Sequence, residues 1–132
     1  MKLGAINHIA LSVSNLGHSE AFYNTVLEFL GYQQEEKTEE LILWASPNGV
    51  LTISPSNPES NNKIHDRYSP GLHHLAFSAD SRAGVDKLYK LLLENNVQIL
   101  DSPEEYDYLP GYYAVYFLDP DGIKLEVTYF PN

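Results

Sequence analysis

The chain has no cysteine. That absence excludes disulfides, iron–sulfur and zinc-finger ligation, and any thiol nucleophile belonging to the protein itself. Basic residues are scarce: eight Lys and Arg stand against eighteen Asp and Glu, a formal charge of −10, with an isoelectric point near 4.7. Phosphate backbones and anionic lipid headgroups are gripped by Lys and Arg, so neither nucleic acid nor a membrane is expected as a partner. No stretch reaches the roughly 18 to 20 apolar residues of a membrane span. Met1-Lys2-Leu3-Gly4-Ala5 runs straight toward a strand without an apolar signal region, which leaves a cytoplasmic location as the expectation. What is present is a globular composition of 132 residues, 43% hydrophobic and 12% aromatic. That is enough for one domain, expected over residues 1–132, and too little for two ordinary ones.

The sequence repeats itself. Ile6-Asn7-His8-Ile9-Ala10-Leu11-Ser12-Val13 recurs as Leu72-His73-His74-Leu75-Ala76-Phe77-Ser78-Ala79, with His8 and His74 at the same place in each copy. A second echo sets Ser46-Pro47-Asn48-Gly49-Val50-Leu51-Thr52-Ile53 beside Asp119-Pro120-Asp121-Gly122-Ile123-Lys124-Leu125-Glu126. In the first copy, alternation marks a strand over Ile6–Val13, and helical spacing from a cap at Asn15 runs through Ala21, Phe22, Val26, Leu27 and Leu30 to Gly31. A polar edge strand over 32–40 then leads to a meander, Leu41–Trp44 and Val50–Ile53, around Pro47-Asn48-Gly49. The second copy predicts a strand over His73–Ala79, a helix over Arg82–Glu94 capped by Asp80 or Ser81, and a short strand over Val97–Leu100. An acidic, tyrosine-bearing loop over 101–111 precedes strands Tyr112–Leu118 and Lys124–Tyr129. The fold class is therefore α+β: two β-α-β-β-β modules, at about 4–55 and 71–130, joined by a linker at about 56–70.

Alternation assigns faces. His8, Ala10 and Ser12 oppose Ile9, Leu11 and Val13, while His74 opposes Leu75 and Glu126 opposes Leu125 and Val127. Two imidazoles and one carboxylate on the polar faces make a ligand set suited to one divalent ion, Fe, Mn, Co, Ni or Zn, with positions left for water or substrate. His18 and His65 are expected to be solvated, and His73 to point to the helix face.

Paired β-α-β-β-β modules, a histidine in the first strand of each, and the Asp119-Pro120-Asp121-Gly122 turn followed by Glu126 together resemble the vicinal oxygen chelate superfamily. That family includes glyoxalases, bleomycin and fosfomycin resistance proteins and extradiol dioxygenases. The resemblance spans essentially the whole chain. It implies a curled mixed-sheet cup with helices outside, a metal held by His8, His74 and Glu126, and a small substrate that chelates the metal through oxygen. Tyr116, ten residues before Glu126, and Tyr112 on the same face are implied as substrate contacts, with Tyr116 and Glu126 as catalytic residues. Their first-module counterparts, Leu43 and Ile53, would form an apolar wall. A homodimer is the implied assembly.

The family offers several activities. Lyase or isomerase chemistry of the glyoxalase kind uses the metal to polarise a carbonyl, but the first-module carboxylate it calls for is replaced by Ile53. Dioxygenation lacks a match for an additional acid–base histidine. Thiol transfer shares the ligands and Tyr116, with only Lys63, Arg67 and Lys124 near the second module to hold an anion. A non-catalytic, sequestering protein of the bleomycin-resistance kind is the alternative from a different class; the tyrosines at 106, 108, 112, 113 and 116 would suit a cationic ligand.

Overall fold

The computed structural model describes residues 1–131 and divides the chain into two compact units, Met1–Lys63 and from Ile64 onward. In the first unit the order is β1 (His8–Val13), α1 (Leu16–Phe29), β2 (Gln33–Lys37), β3 (Ile42–Ser46) and β4 (Gly49–Pro55). The strands form one sheet in the order β1-β4-β3-β2, parallel between β1 and β4 and antiparallel elsewhere. The second unit repeats this plan with β5 (Leu75–Ser78), α2 (Arg82–Glu94), β6 (Ile99–Tyr106), β7 (Tyr112–Leu118) and β8 (Lys124–Tyr129), ordered β5-β8-β7-β6. Each unit is thus one helix against one mixed four-stranded sheet, the α+β arrangement anticipated from the repeat.

The helix ends follow from local chemistry. Asn15 caps α1 by accepting the His18 N–H at 2.9 Å, and Ser81 caps α2 by accepting the Gly84 N–H at 3.0 Å, each satisfying a donor that the first turn leaves open. Gly31, at φ +93°, stops α1 in a left-handed residue, and the Tyr32 N–H returns to the Leu27 carbonyl at 2.8 Å. The buried stripe of α1 (Tyr23, Val26, Leu27) covers Leu11, Val13, Ile42, Trp44, Leu51 and Ile53. That of α2 (Val85, Leu88, Leu92) covers Val115, Phe117, Leu125 and Val127. The Trp44 indole N–H donates to Asn24 Oδ1 at 2.8 Å, so the largest side chain of the first core is buried with its polar atom satisfied.

Three expectations change. The acidic stretch after Leu100 is not a loop: β6 runs on to Tyr106 as the edge strand, with register shifts at Asp101 and Glu104. An edge strand tolerates Pro103 and outward-facing acids because only one side must pair, and the bulges break the two-residue period by which a strand is recognised. The segment taken as the end of the linker belongs to the second unit. The His65 N–H donates to the Asp121 carbonyl at 2.9 Å, its Nε2 lies 2.8 Å from the Leu72 carbonyl, and Ile64 packs against Gly122. His65 is a half-buried pin rather than a solvated residue. Finally, β5 begins at Leu75, so His73 precedes the strand ladder and is exposed instead of lying beneath the helix.

Candidate functional site

The polar face of the second sheet opposes the α2 face. Across the β7–β8 ladder Tyr116 pairs with Glu126, and across β5–β8 Ala76 does, which fixes Glu126 at the middle of that face. Its side chain is only 2% exposed. A buried carboxylate needs partners, and it has two: the Tyr112 hydroxyl donates to Oε2, and His74 Nε2 lies 3.1 Å from Oε1. The other ring nitrogen of His74 lies 2.7 Å from His73 Nδ1. When His73 donates to His74 Nδ1, His74 Nε2–H donates to the carboxylate; when His74 Nδ1–H donates to His73, the Nε2 lone pair faces the carboxylate and a proton or a cation between them completes the contact. Two ligands at right angles about 2.1 Å from an ion are themselves roughly 3 Å apart, so the observed separation fits a divalent ion as well as a proton.

Tyrosine rings cover this pair. Tyr116 stands edge-on to His74 at 6.2 Å and to Tyr106 at 5.5 Å. Tyr108 stacks on Tyr106 at 5.4 Å, meets Tyr112 edge-on at 5.2 Å, and Tyr112 in turn stacks on Phe130 at 5.8 Å. Burial, followed by the charge of Glu126, pushes the Tyr116 phenol well above its ordinary range. Burial and the hydrogen bond to Glu126 raise Tyr112. Both phenols therefore stay protonated at neutral pH and act as hydrogen-bond donors. Lys124 Nζ lies 4.5 Å from the Tyr116 ring centroid. Partial loss of ring hydration, then electrostatic coupling to His74 and the nearby positive charges of Lys124 and Arg67, hold the His73 imidazole below its ordinary range.

In the first unit His8 occupies the exposed face of β1, with Nδ1 2.8 Å from Asn7 Oδ1. Leu43 and Ala10 both pair with Thr52, so Leu43 and Thr52 share the His8 face. Ile53 does not. It pairs with Leu11 and is fully buried on the α1 side, which corrects its assignment as the counterpart of Glu126. The register makes that counterpart Thr52. Gly49 pairs with Ser46 inside the ladder, whereas Gly122 stays in the turn between Leu118 and Lys124. The second hairpin is thus one residue longer between equivalent positions, and a one-residue offset changes face.

Among the described residues no group of three His, Cys, Asp or Glu side chains gathers closely enough to enclose an ion. The second unit brings together two donors of the expected set, His74 and Glu126, with Tyr112 and Tyr116 about them. The sequence offered Tyr106 and Tyr108 only for the cationic ligand of a sequestering protein and not as partners of the His74–Glu126 pair, since both lie in the stretch taken for a loop. Thr52 was hidden by aligning the two glycine turns residue for residue.

With this duplicated fold and this polar face in place, the chain belongs to the glyoxalase/bleomycin resistance protein/dioxygenase superfamily, whose family model matches residues 5–127. It is 32% identical over 124 residues to the uncharacterized protein YqjT of Bacillus subtilis, covering 93% of this chain and 97% of that one. It is 31% identical over 135 residues to the metallothiol transferase FosB of Staphylococcus epidermidis, covering 96% and 82% respectively. A crystal structure of a proposed glyoxalase from Bacillus halodurans superposes with a TM-score of 0.86 at 30% identity, covering 95% of each chain. No helix among the described residues is long and apolar enough to cross a membrane.

Proposed function

We propose that the protein is a metal-dependent enzyme acting on a small substrate that chelates a divalent ion through oxygen, with thiol transfer as its reaction class. The observation that carries this reading is the buried Glu126 carboxylate facing His74 Nε2 at 3.1 Å, a pair of donors that a cation completes. His8, at the repeated position of β1, is proposed as the third ligand on the strength of the duplication. The ion would polarise the chelated oxygen and stabilise negative charge developing there.

The chain's own groups do the rest. By accepting the His74 Nδ1–H, His73 would leave Nε2 its lone pair for the ion, and Tyr112 holds the Glu126 carboxylate in one orientation. Tyr116, kept protonated by burial, donates a hydrogen bond to a substrate oxygen. Thiol transfer is favoured over isomerisation by two features. Relatives such as FosB carry the name metallothiol transferase, and Thr52, rather than a second carboxylate that could shuttle a proton, stands where Glu126 stands in the other unit. Because the chain has no cysteine, the thiol is a second substrate.

Elemental analysis of protein purified without chelator tests the reading. The expected result is about one divalent ion per chain, lost in His74→Ala and Glu126→Gln and strongly reduced in His8→Ala. Folded wild-type protein that takes up no divalent ion, even when one is supplied, would overturn it and favour a non-catalytic sequestering role.

A further inference from the structure

The two donors of the site are anchored unequally. Glu126 lies inside β8, which is paired on both sides, so Ala76 and Tyr116 fix its backbone. His74 stands one residue before β5, whose ladder with β8 begins at the pair Leu75 and Leu125. Residues 66–74, which lead up to it, lie in neither helix nor strand, and Gly71 among them has φ +136°. A stretch without a ladder keeps one conformation through the side chains and neighbouring backbone that catch it.

His65 catches this stretch from its beginning. The imidazole Nε2 lies 2.8 Å from the Leu72 carbonyl, two residues before His74. A carbonyl only accepts, so Nε2 carries the proton and donates it. The His65 backbone N–H donates to the Asp121 carbonyl at 2.9 Å. That carbonyl belongs to a turn closed by Asp119 Oδ1, which accepts the Asp121 N–H at 2.9 Å and the Ile123 N–H at 2.8 Å. The turn also seats Ile64: a Cβ on Gly122 would fall 2.5 Å from Ile64 Cγ2, so no larger residue fits there without displacing the segment. One residue therefore links the turn that enters β8, and hence Glu126, to the carbonyl that precedes the His73–His74 pair. The 3.1 Å separation of His74 Nε2 from Glu126 Oε1 is the quantity such a link controls, since a ligand pair works only when held to within about 0.5 Å.

We infer that His65 is a positioning residue for the candidate site, holding His74 within reach of Glu126 through the Leu72 carbonyl. Its effect on ion binding rests on the metal-dependent reading above; the placement of His74 is a property of the second unit alone.

The test is made on chelator-stripped protein by the nuclear Overhauser cross-peak between the His74 and Tyr116 rings, which meet edge-on at 6.2 Å, and on reloaded protein by calorimetric titration with a divalent ion. In His65→Ala the cross-peak is expected to be lost or strongly weakened and ion affinity to fall about tenfold. His65→Gln, whose amide keeps a donor in place of Nε2–H, is expected to restore both. Asn95→Ala, which removes another bond from a side chain to a backbone carbonyl, at the end of α2, is expected to change neither. Should His65→Ala not fold, His65→Asn, whose shorter amide stops short of the Leu72 carbonyl, takes its place. An unchanged cross-peak in folded His65→Ala or His65→Asn, an equal loss in Asn95→Ala, or a loss in His65→Gln as large as in His65→Ala would each overturn the inference. A wild type that takes up no ion while His65→Ala still displaces His74 sinks the metal-dependent reading and leaves the positioning role standing. A wild type that binds an ion, with affinity and cross-peak both indifferent to His65→Ala, does the reverse.

Discussion

At the scale of single residues, the most consequential bond is the one from the Tyr112 hydroxyl to Glu126 Oε2. It supplies one of two partners to the carboxylate of a buried residue. Tyr112→Phe leaves that oxygen buried and unsatisfied, so the metal-free variant is expected to lose about 1–3 kcal/mol in chemical denaturation. The same change frees the carboxylate to rotate, and divalent-ion affinity measured by calorimetry is expected to fall roughly 10- to 100-fold. Wild-type values on both counts would show that Tyr112 is only a space-filling ring. His74 and Glu126 were legible in the sequence because each sits in a regular two-residue alternation where face follows from parity. Tyr108 was legible as a candidate aromatic contact but not in its place against Tyr106 and Tyr112, because it lies in the turn beyond β6, where no period applies. Nor was the half-buried place of His65, which depends on its reaching Asp121 and the Leu72 carbonyl.

At the scale of elements, the register of β4 decides which side chains face the polar surface. Thr52 shares that face with Leu43 and Ala10, while Ile53 lies under α1. Ile53→Glu therefore buries an unpaired charge in the first core and is expected to abolish cooperative thermal unfolding. Thr52→Glu puts its carboxylate on the same face as His8 and is expected to retain a folded protein with a melting transition. If Ile53→Glu folds and Thr52→Glu does not, the faces are reversed from those described. The repeat in the sequence revealed the element order and both helices, since capping residues and apolar stripes are local signals. It concealed the length of β6, because bulges and a proline on an edge strand erase the alternation, and it concealed the offset between the hairpins, because shared Pro and Gly positions align the turns rather than the ladders.

At the scale of the molecule, each unit buries one helix stripe on one sheet face and leaves its other face polar. A resident ion that binds only the native state stabilises it by mass action, by about 2.7 kcal/mol at a free concentration one hundred times Kd. Chelator treatment is accordingly expected to lower the thermal midpoint of the wild type, with recovery on adding back a divalent ion, and Glu126→Gln is expected to show neither response. A midpoint indifferent to both additions would argue against a resident ion.

The unequal hairpins have a consequence for how the two copies parted company. The loop spanning residues 119–123, closed by Asp119 Oδ1 accepting the Asp121 and Ile123 N–H groups, keeps Glu126 in step with Tyr116, so its length helps select the address at which an acid is displayed. A one-residue slip of β8 against β7 would set Glu126 opposite Phe117, in the oily layer under α2, and bring Val127 out in its stead, without touching one of the donors.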